Sequence, residues 1–343
     1  MSSSNSTPAS PQMPPQAKMM QMVTGCWLSQ CIYVAAKLNL ADLLKDGSRS
    51  CDNLAEATGT NSNSLYRLLR ALASVDIFAE TEPGHFQLTP LAATLQSDSS
   101  NSLKSFALLI GGEGYQMWGE LPYSVETGKE AYTKQRGMPL FAYYQENPQA
   151  AAIFNQAMTN LSALEQAAVV EAYDFTGINK LVDVAGGCGS QLATILQAYP
   201  QMQGILLDLP KVIAPAEAFL TEKAVSDRTQ LVPGNFFEEI PSGGDAYLLK
   251  HIIHDWEDPQ ALTILQRCYQ AMPEGGRLLI IEEIIPPDNQ PSTTKFWDLT
   301  MLIMCGGKER TAQEYQQLLK AANFALNRIV PTKSNVSVIE AVK

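Results

Sequence analysis

His254 stands four residues after Lys250 in Asp245-Ala-Tyr-Leu-Leu-Lys250-His-Ile-Ile-His254-Asp255-Trp256. The apolar run reads as a buried strand ending at Lys250, which delivers His254 just beyond the strand's carboxyl edge. An imidazole in that place can accept a proton near neutral pH. A second constellation lies upstream. Leu181-Val-Asp183-Val-Ala-Gly186-Gly187-Cys-Gly189 is an apolar strand running into a glycine turn, and Asp208 closes the next strand in Gly-Ile-Leu-Leu-Asp208-Leu209-Pro. Glycines let the backbone approach a ligand where a Cβ would collide, and the acid can accept hydrogen bonds from both hydroxyls of a ribose. The pair describes a nucleotide-type cofactor pocket with a candidate base on the same sheet edge.

The spacing narrows the cofactor. A dinucleotide site uses G-x-G-x-x-G because pyrophosphate sits on a helix N-terminus, yet here the turn is Gly186-Gly187-Cys188-Gly189-Ser190 and position 192 is Leu. No Gly-Lys-Ser/Thr follows a strand, which excludes a P-loop. S-adenosylmethionine fits better, with a ribose for Asp208, an adenine, an amino-acid tail and a sulfonium charge that acidic surroundings tolerate.

The elements that must position these residues follow from pattern. At 343 residues the chain exceeds one small core, and 45% hydrophobic with 17% charged residues is ordinary for a soluble globular protein. A net charge of −11 with no strongly basic stretch works against nucleic acid or an anionic membrane surface as partner. Six cysteines without a C-x-x-C pair suggest neither a disulfide framework nor a thiolate metal site, and three histidines make a His-rich metal centre improbable. No metal is expected, and the setting expected is a reducing cytoplasm.

Residues 1–18, rich in Ser, Pro and Gln and without an apolar core, read as a disordered tail. Residues 19–44 are apolar at helical spacing on several faces and call for burial, in their own domain or against a second subunit. Two short helices broken at Gly59 and a pair of alternating strands around Pro83-Gly84 then give a helix-turn-helix with a wing. Residues 48–96 carry five acids against three arginines, the wrong sign for gripping phosphates, so a winged-helix scaffold reused for dimerisation is the stronger reading. Residues 19–100 are assigned to that domain, 101–175 to a helical connector that lines the substrate pocket, and 176–343 to the cofactor-binding catalytic domain. In the last, strands are predicted at 181–185, 204–208, 229–232, 245–250, 276–284, 326–331 and 335–342. Asp258-Pro259 reads as an N-cap followed by proline, and Thr311 with Glu314 as a capping box. The last two strands are joined too tightly for a parallel crossover and must be antiparallel. The fold class is therefore α/β, a Rossmann-like methyltransferase-type sheet with a final antiparallel hairpin, preceded by a mainly helical winged-helix-like domain.

Together these segments resemble the two-domain S-adenosylmethionine-dependent O-methyltransferases, the group that includes plant caffeic acid and hydroxyindole enzymes and bacterial antibiotic-tailoring relatives. The matching motifs are Leu-Val-Asp183-Val-Ala-Gly-Gly-Cys-Gly, Asp208-Leu-Pro, Gly234-Asn-Phe-Phe, Leu-Lys250-x-x-x-His254-Asp255-Trp256, Glu282 before Ile-Ile-Pro286, and Gly306-Gly-Lys-Glu309-Arg-Thr. Their order and spacing hold from about residue 20 to the end of the chain. The resemblance implies that His254 is the general base for a small aromatic hydroxyl and that Glu282 and Glu309 flank and orient it, without a metal. Glu283 adjoins Glu282, so the first of these assignments could slip by one residue.

It further implies a cofactor site from Asp183, Gly186, Gly187, Gly189, Asp208, Leu209, Asn235, Phe236 and Lys250, with Ser162 near the cofactor carboxylate. Met117, Trp118, Phe154, Met158, Met301 and Met304 are the apolar and sulfur side chains expected around a planar acceptor, with Asp255 as its polar contact. Relatives pair as homodimers through their N-terminal helices. Two departures stand out: Ala185 where a third glycine is common, and Asn235 where an acid is frequent. Redirected relatives that hydroxylate or decarboxylate, and a ligand-sensing winged-helix regulator without catalysis, are the alternatives. The intact His254, Glu282 and Glu309 set argues against the redirected relatives, and together with the acidic wing it weighs against the regulator.

Overall fold

A computed structural model describes residues 13–99 and 102–343, which group into two compact units, 1–113 and 114–343. In the first, helices Cys51–Thr58 and Ser62–Ala73 form the helix-turn-helix. Gly59, in the left-handed region at φ 65°, ends one helix, and the Asn61 side chain caps the next by accepting from the Ser64 N–H. The wing is a three-stranded sheet of β1 (Arg49–Ser50), β2 (Phe78–Glu82) and β3 (His85–Leu88) in the order β1-β3-β2. Leu40, Leu54, Leu65, Leu69, Leu72, Phe78 and Phe86 fill the core of this unit.

Residues 1–12 of the segment read as tail lie outside the described residues, and the rest of that reading needs correcting, because a helix spans Pro15–Val23. Proline at the first helical position gives it a start that composition alone does not show. This helix buries none of its own side chains, and Met19, Met20, Met22, Val23 and Trp27 are all exposed. Exposed apolar side chains gathered along so short a stretch of chain are of the kind that a second subunit covers.

The second unit holds β4 (Lys180–Val184), β5 (Gln203–Asp208), β6 (Thr229–Pro233), β7 (Ala246–Lys250), β8 (Arg277–Ile285), β9 (Arg310–Thr311), β10 (Ala325–Pro331) and β11 (Val336–Val342). The main sheet runs β6-β5-β4-β7-β8-β11-β10. Its first five strands are parallel, and β11 enters antiparallel to both β8 and β10. The short β9 pairs with the carboxyl end of β8 at Ile284–Arg310 and Ile285–Thr311. Neighbouring residues of one strand fall in opposite cores, Leu249 with Tyr247 and Val182 on one face, Leu248 with Leu181 and Leu279 on the other. Burial on both faces is why these strands read as continuous apolar runs rather than alternating ones.

The capping box at Thr311 and Glu314 is present in both directions. The other helix start is displaced by one residue: the helix is Asp258–Ala271 with Glu257 in the cap position, and no side chain caps it. Asp258 is drawn away because Arg310 and Lys308 take its two oxygens. Among the described residues no helix is long and apolar enough to cross a membrane.

β4 is followed by Ala185, which lies in the left-handed region at φ 59° while its N–H donates to the Leu207 carbonyl at 2.8 Å. A Cβ in that region costs roughly 1–2 kcal/mol, which is the physical reason a glycine suits this position. Ala185→Gly is expected to raise stability by about 1 kcal/mol, seen as a higher urea midpoint with an unchanged m-value. An unchanged or lowered midpoint would contradict the strain.

Candidate active site

Beyond Lys250 the chain leaves the sheet. His251 adopts φ 54° and a short 3₁₀ turn, Ile253–Asp255, follows. Its backbone is irregular and largely dry, so its polar groups need partners from elsewhere. Glu282, on β8 and fully buried, supplies one side: its Oε1 accepts the N–H groups of Ile252 at 3.2 Å, Ile253 at 2.7 Å and His254 at 3.1 Å. Its Oε2 accepts the Tyr315 hydroxyl. Arg310, also fully buried, supplies the other side by donating to the carbonyls of Ile253 and Trp256, both at 2.9 Å, and to Asp258 Oδ1 at 2.9 Å.

The loop that carries Glu309 presses on the same turn. The Lys308 N–H donates to the His254 carbonyl at 2.9 Å, and a Cβ on Gly307 would lie 2.0 Å from that oxygen. Glu309 Oε1 meets His254 Nδ1 at 2.8 Å, while Asp255 Oδ1 is 3.6 Å from Nε2, too long for a hydrogen bond. Burial opposes charge on His254, but the carboxylates of Glu282, Glu309 and Asp255 outweigh it and push its pKa up to about 10. Burial first, then the charges of Glu282 and Glu309, raise Asp255 to about 6.

The two acids expected to flank the imidazole thus divide the work differently from that expectation. Glu309 holds the ring, whereas Glu282 holds the backbone beneath it and reaches the ring only through its charge. Glu283 faces the other side of β8 and accepts the Thr294 hydroxyl at 2.6 Å, so Glu282 is the one under the turn. Ligand atoms of His254, Glu282 and Glu309 lie within 4.8 Å of one another, a spacing a metal ion could use. Both Glu282 oxygens and His254 Nδ1 are already committed to hydrogen bonds, however.

On the cofactor side, Asp208 Oδ2 accepts the Gly187 N–H at 2.8 Å and Oδ1 accepts the Leu209 N–H at 2.6 Å. Each oxygen keeps a further lone pair for a ligand hydroxyl. Asp183 lies beneath the loop with Oδ2 buried and unpartnered, and burial followed by the charge of Asp208 pushes it up to about 7. A Cβ on Gly186 would come 2.3 Å from that same oxygen, so the cradle is closed to any side chain there. Gly189, at φ 81°, turns the chain into helix Ser190–Ala198. Backbone N–H groups and carboxyl oxygens thus converge at this turn, an arrangement that suits a nucleoside with a cationic tail.

Lys250 Nζ reaches Ser162 Oγ at 2.8 Å and Glu165 Oε2 at 2.7 Å, which brings Ser162 from the long helix Pro148–Ala172 to the same sheet edge. Asn235 closes its own turn by accepting the Phe237 N–H at 3.0 Å, and its neighbour Phe236 packs edge-on against Trp256. Of the candidates for the acceptor pocket, Met117, Trp118, Phe154 and Met304 share one cluster with Tyr132 and Tyr144. Met158 and Met301, half-buried on their helices, lie outside it. Sequence reasoning passed over Glu165, Arg310, Tyr315 and His251; Arg310 lay within the motif around Glu309, but nothing in the residue type announced that it would be buried.

The O-methyltransferase domain family matches residues 118–325 and the O-methyltransferase dimerisation domain family matches residues 20–98. The chain is similar to a phenazine O-methyltransferase of Lysobacter antibioticus, 41% identical over 329 residues that cover 96% of each chain. It is similar to a 3-amino-4-hydroxybenzoate 4-O-methyltransferase of Streptomyces cremeus, 35% identical over 91% of this chain and 86% of that one. The crystal structure of human N-acetylserotonin methyltransferase in complex with S-adenosylmethionine superposes with a TM-score of 0.88 at 25% identity, covering 98% of this chain and 99% of the other.

Removing Glu282 leaves three backbone donors of the turn without an acceptor, at roughly 1–3 kcal/mol each where buried. Glu282→Ala should therefore lower the melting temperature far more than Glu282→Gln, whose amide oxygen can still receive those N–H groups. Equal melting temperatures for the two variants would show that the clamp is not what holds the turn.

Proposed function

The chain belongs to the O-methyltransferase family that joins a catalytic domain to its own dimerisation domain, and as an S-adenosylmethionine-dependent member, we propose, it methylates a hydroxyl of a small aromatic metabolite with His254 as general base and no metal ion. The observation that carries this reading is the His254–Glu309 hydrogen bond at Nδ1, which commits that nitrogen and leaves Nε2 as the one able to face an acceptor. When bound, S-adenosylmethionine supplies a methyl group made electrophilic by its sulfonium sulfur.

The residues divide the remaining tasks. Asp208 receives the ribose hydroxyls, the turn from Gly186 to Gly189 and Asp183 underlie the cofactor's amino-acid portion, and Lys250 with Ser162 meets its carboxylate. Leu209 and Phe236 border the nucleoside, with Asn235 shaping the turn beside it. Met117, Trp118, Phe154 and Met304 supply apolar and sulfur surface for a planar ring, and Asp255 a polar contact. Met158 and Met301 stand outside that cluster and take no part in this surface. His254 removes the acceptor's proton at Nε2 while Glu309 fixes the tautomer and, with Asp255 and Glu282, stabilises the imidazolium. General-base help of this kind contributes roughly 10²–10⁴ in rate. Residues 19–100 pair two chains through the exposed face of the first helices, and the six unpaired cysteines suit a reducing cytoplasm.

The stabilised imidazolium has a consequence for pH. In the free site His254 keeps its proton at neutral pH, so the fraction able to act as base grows as pH rises towards about 10. The sign for stability is opposite: the charged ring contributes fully below its ordinary value of 6.5, and that contribution is lost as pH climbs through about 10.

Calorimetric titration with S-adenosylhomocysteine, followed by mass spectrometry of phenazine and hydroxybenzoate acceptors, tests the reading. Micromolar binding and a gain of one methyl are expected; binding with a gain of oxygen or loss of carbon dioxide would overturn it. His254→Gln should abolish turnover and leave homocysteine-nucleoside affinity within a few-fold, whereas Asp208→Ala should weaken that affinity first. The profile of kcat/KM should still be rising above about pH 8, and Glu309→Gln should move its midpoint to lower pH. A midpoint that stays in place in that variant would sink the assignment of Glu309 as the partner of the base.

A further inference from the structure

Two of the chain's three histidines lie face to face, the rings of His251 and His254 stacked with centroids 5.2 Å apart and planes 29° from parallel. That separation is within the offset-stacking range of aromatic pairs. The arrangement is built rather than incidental, for three independent reasons. His251 holds a left-handed backbone, φ 54°, which a residue with a Cβ adopts only against a cost of roughly 1–2 kcal/mol. Its N–H is fastened to the Ile281 carbonyl at 3.1 Å, so the strained residue is part of the sheet edge and not a free loop. Its Nε2 meets Glu165 Oε2 at 2.9 Å, and the same oxygen is 2.7 Å from Lys250 Nζ. Burial disfavours charge on Glu165, yet His251 and Lys250 hold it down to about 2, so it is an ionised and well-anchored partner.

The ring of His254 needs such a contact. Its Nδ1 is held by Glu309, which fixes one edge of the imidazole, and Glu282 and Arg310 fix the backbone below it. The Nδ1 hydrogen bond restrains rotation of the ring from one edge only, and any rocking about that edge moves Nε2. A flat group against the face of the ring opposes that rocking.

We infer that His251, locked by Glu165, is a positioning residue whose ring face sets the tilt of His254 and so aims Nε2 at the acceptor. It does not exchange protons with the acceptor and touches neither substrate nor methyl group. The inference rests on His254 being the base, so its test includes a readout that does not require turnover. His251→Phe keeps a flat ring and removes the nitrogens. His251→Asn removes the ring while retaining a residue type that tolerates the left-handed region, which protects the fold.

With the full-length protein, kcat, the KM for S-adenosylmethionine and the His254 Nδ1–H proton signal would be measured for both variants. Because the chain has three histidines, single substitutions assign each resonance. His251→Asn is expected to lower kcat by about tenfold to a hundredfold, as a misplaced reacting group does, with the cofactor KM unchanged. The Nδ1–H signal should broaden. His251→Phe should restore kcat to within a few-fold and keep that signal sharp. Wild-type kcat in His251→Asn would overturn the inference, as would a His251→Phe as slow as His251→Asn. If the wild-type protein methylates no acceptor, the base reading fails by itself, while the proton signal still decides whether His251 orders the ring.

Discussion

Irregular backbone inside a protein has to find its hydrogen-bond partners outside itself, and the turn from Ile252 to Trp256 is such a segment. Glu282 gathers its N–H groups from below and Arg310 gathers its carbonyls from the side. Neither residue could do this from solvent, since both are fully buried. Each is itself anchored, Glu282 by the Tyr315 hydroxyl and Arg310 by Asp258. The His254 imidazole is therefore the visible tip of an arrangement that ties β7, β8, β9 and helix Ala312–Ala321 into one body. An apolar substitute at either clamp would leave the turn's polar groups stranded, which is why ionic residues persist in so dry a place.

The electrostatics of the pocket follow from the same economy of position. Asp183 and Asp208 lie together under the glycine loop, and Asp255, Glu282 and Glu309 surround one imidazole. Burial and acidic neighbours raise Asp183 and Asp255, and carboxyl groups gathered in this way favour any cation brought among them. The positive tail of a sulfonium cofactor and a protonated His254 are both of that kind. Lys250, paired with Glu165 and in reach of Ser162, places a cation at the same sheet edge.

Much of this was legible before any coordinates. Parallel strands buried on both faces announce themselves as unbroken apolar runs, and Thr311 with Glu314 is a capping box by residue type alone. The placing of the glycine turn, Asp208, Lys250 and His254 at or just past strand ends was readable because apolar runs and glycines mark where each strand stops. What failed was anything decided by long-range competition. Asp258 looks like a helix cap, but a buried arginine fifty-two positions later claims its oxygen. Glu282 and Glu309 look equivalent in sequence, and only the pleat of β8 and the path of the 306–309 loop assign one to backbone and the other to ring. Glu165 gave no local signal, because its meaning depends on a helix docking beside Lys250. The methionines divided, four aromatic and sulfur side chains meeting in one cluster while Met158 and Met301 did not, since helix spacing cannot tell which face is turned inward.

The antiparallel insertion of β11 between β8 and β10 also governs how the chain comes to life. On a ribosome, β7 and β8 are made long before residue 336, so the far edge of Arg277-Leu-Leu-Ile-Ile-Glu-Glu-Ile-Ile285 waits without a neighbour while some fifty further residues are synthesised. An apolar strand with an open edge is the element most prone to pair with another nascent chain. Glu282 and Glu283 interrupt that run with two adjacent charges, placing a barrier to mispairing in the middle of the vulnerable strand. The acid that holds the 252–254 turn is thus also the charge that interrupts this open strand during synthesis.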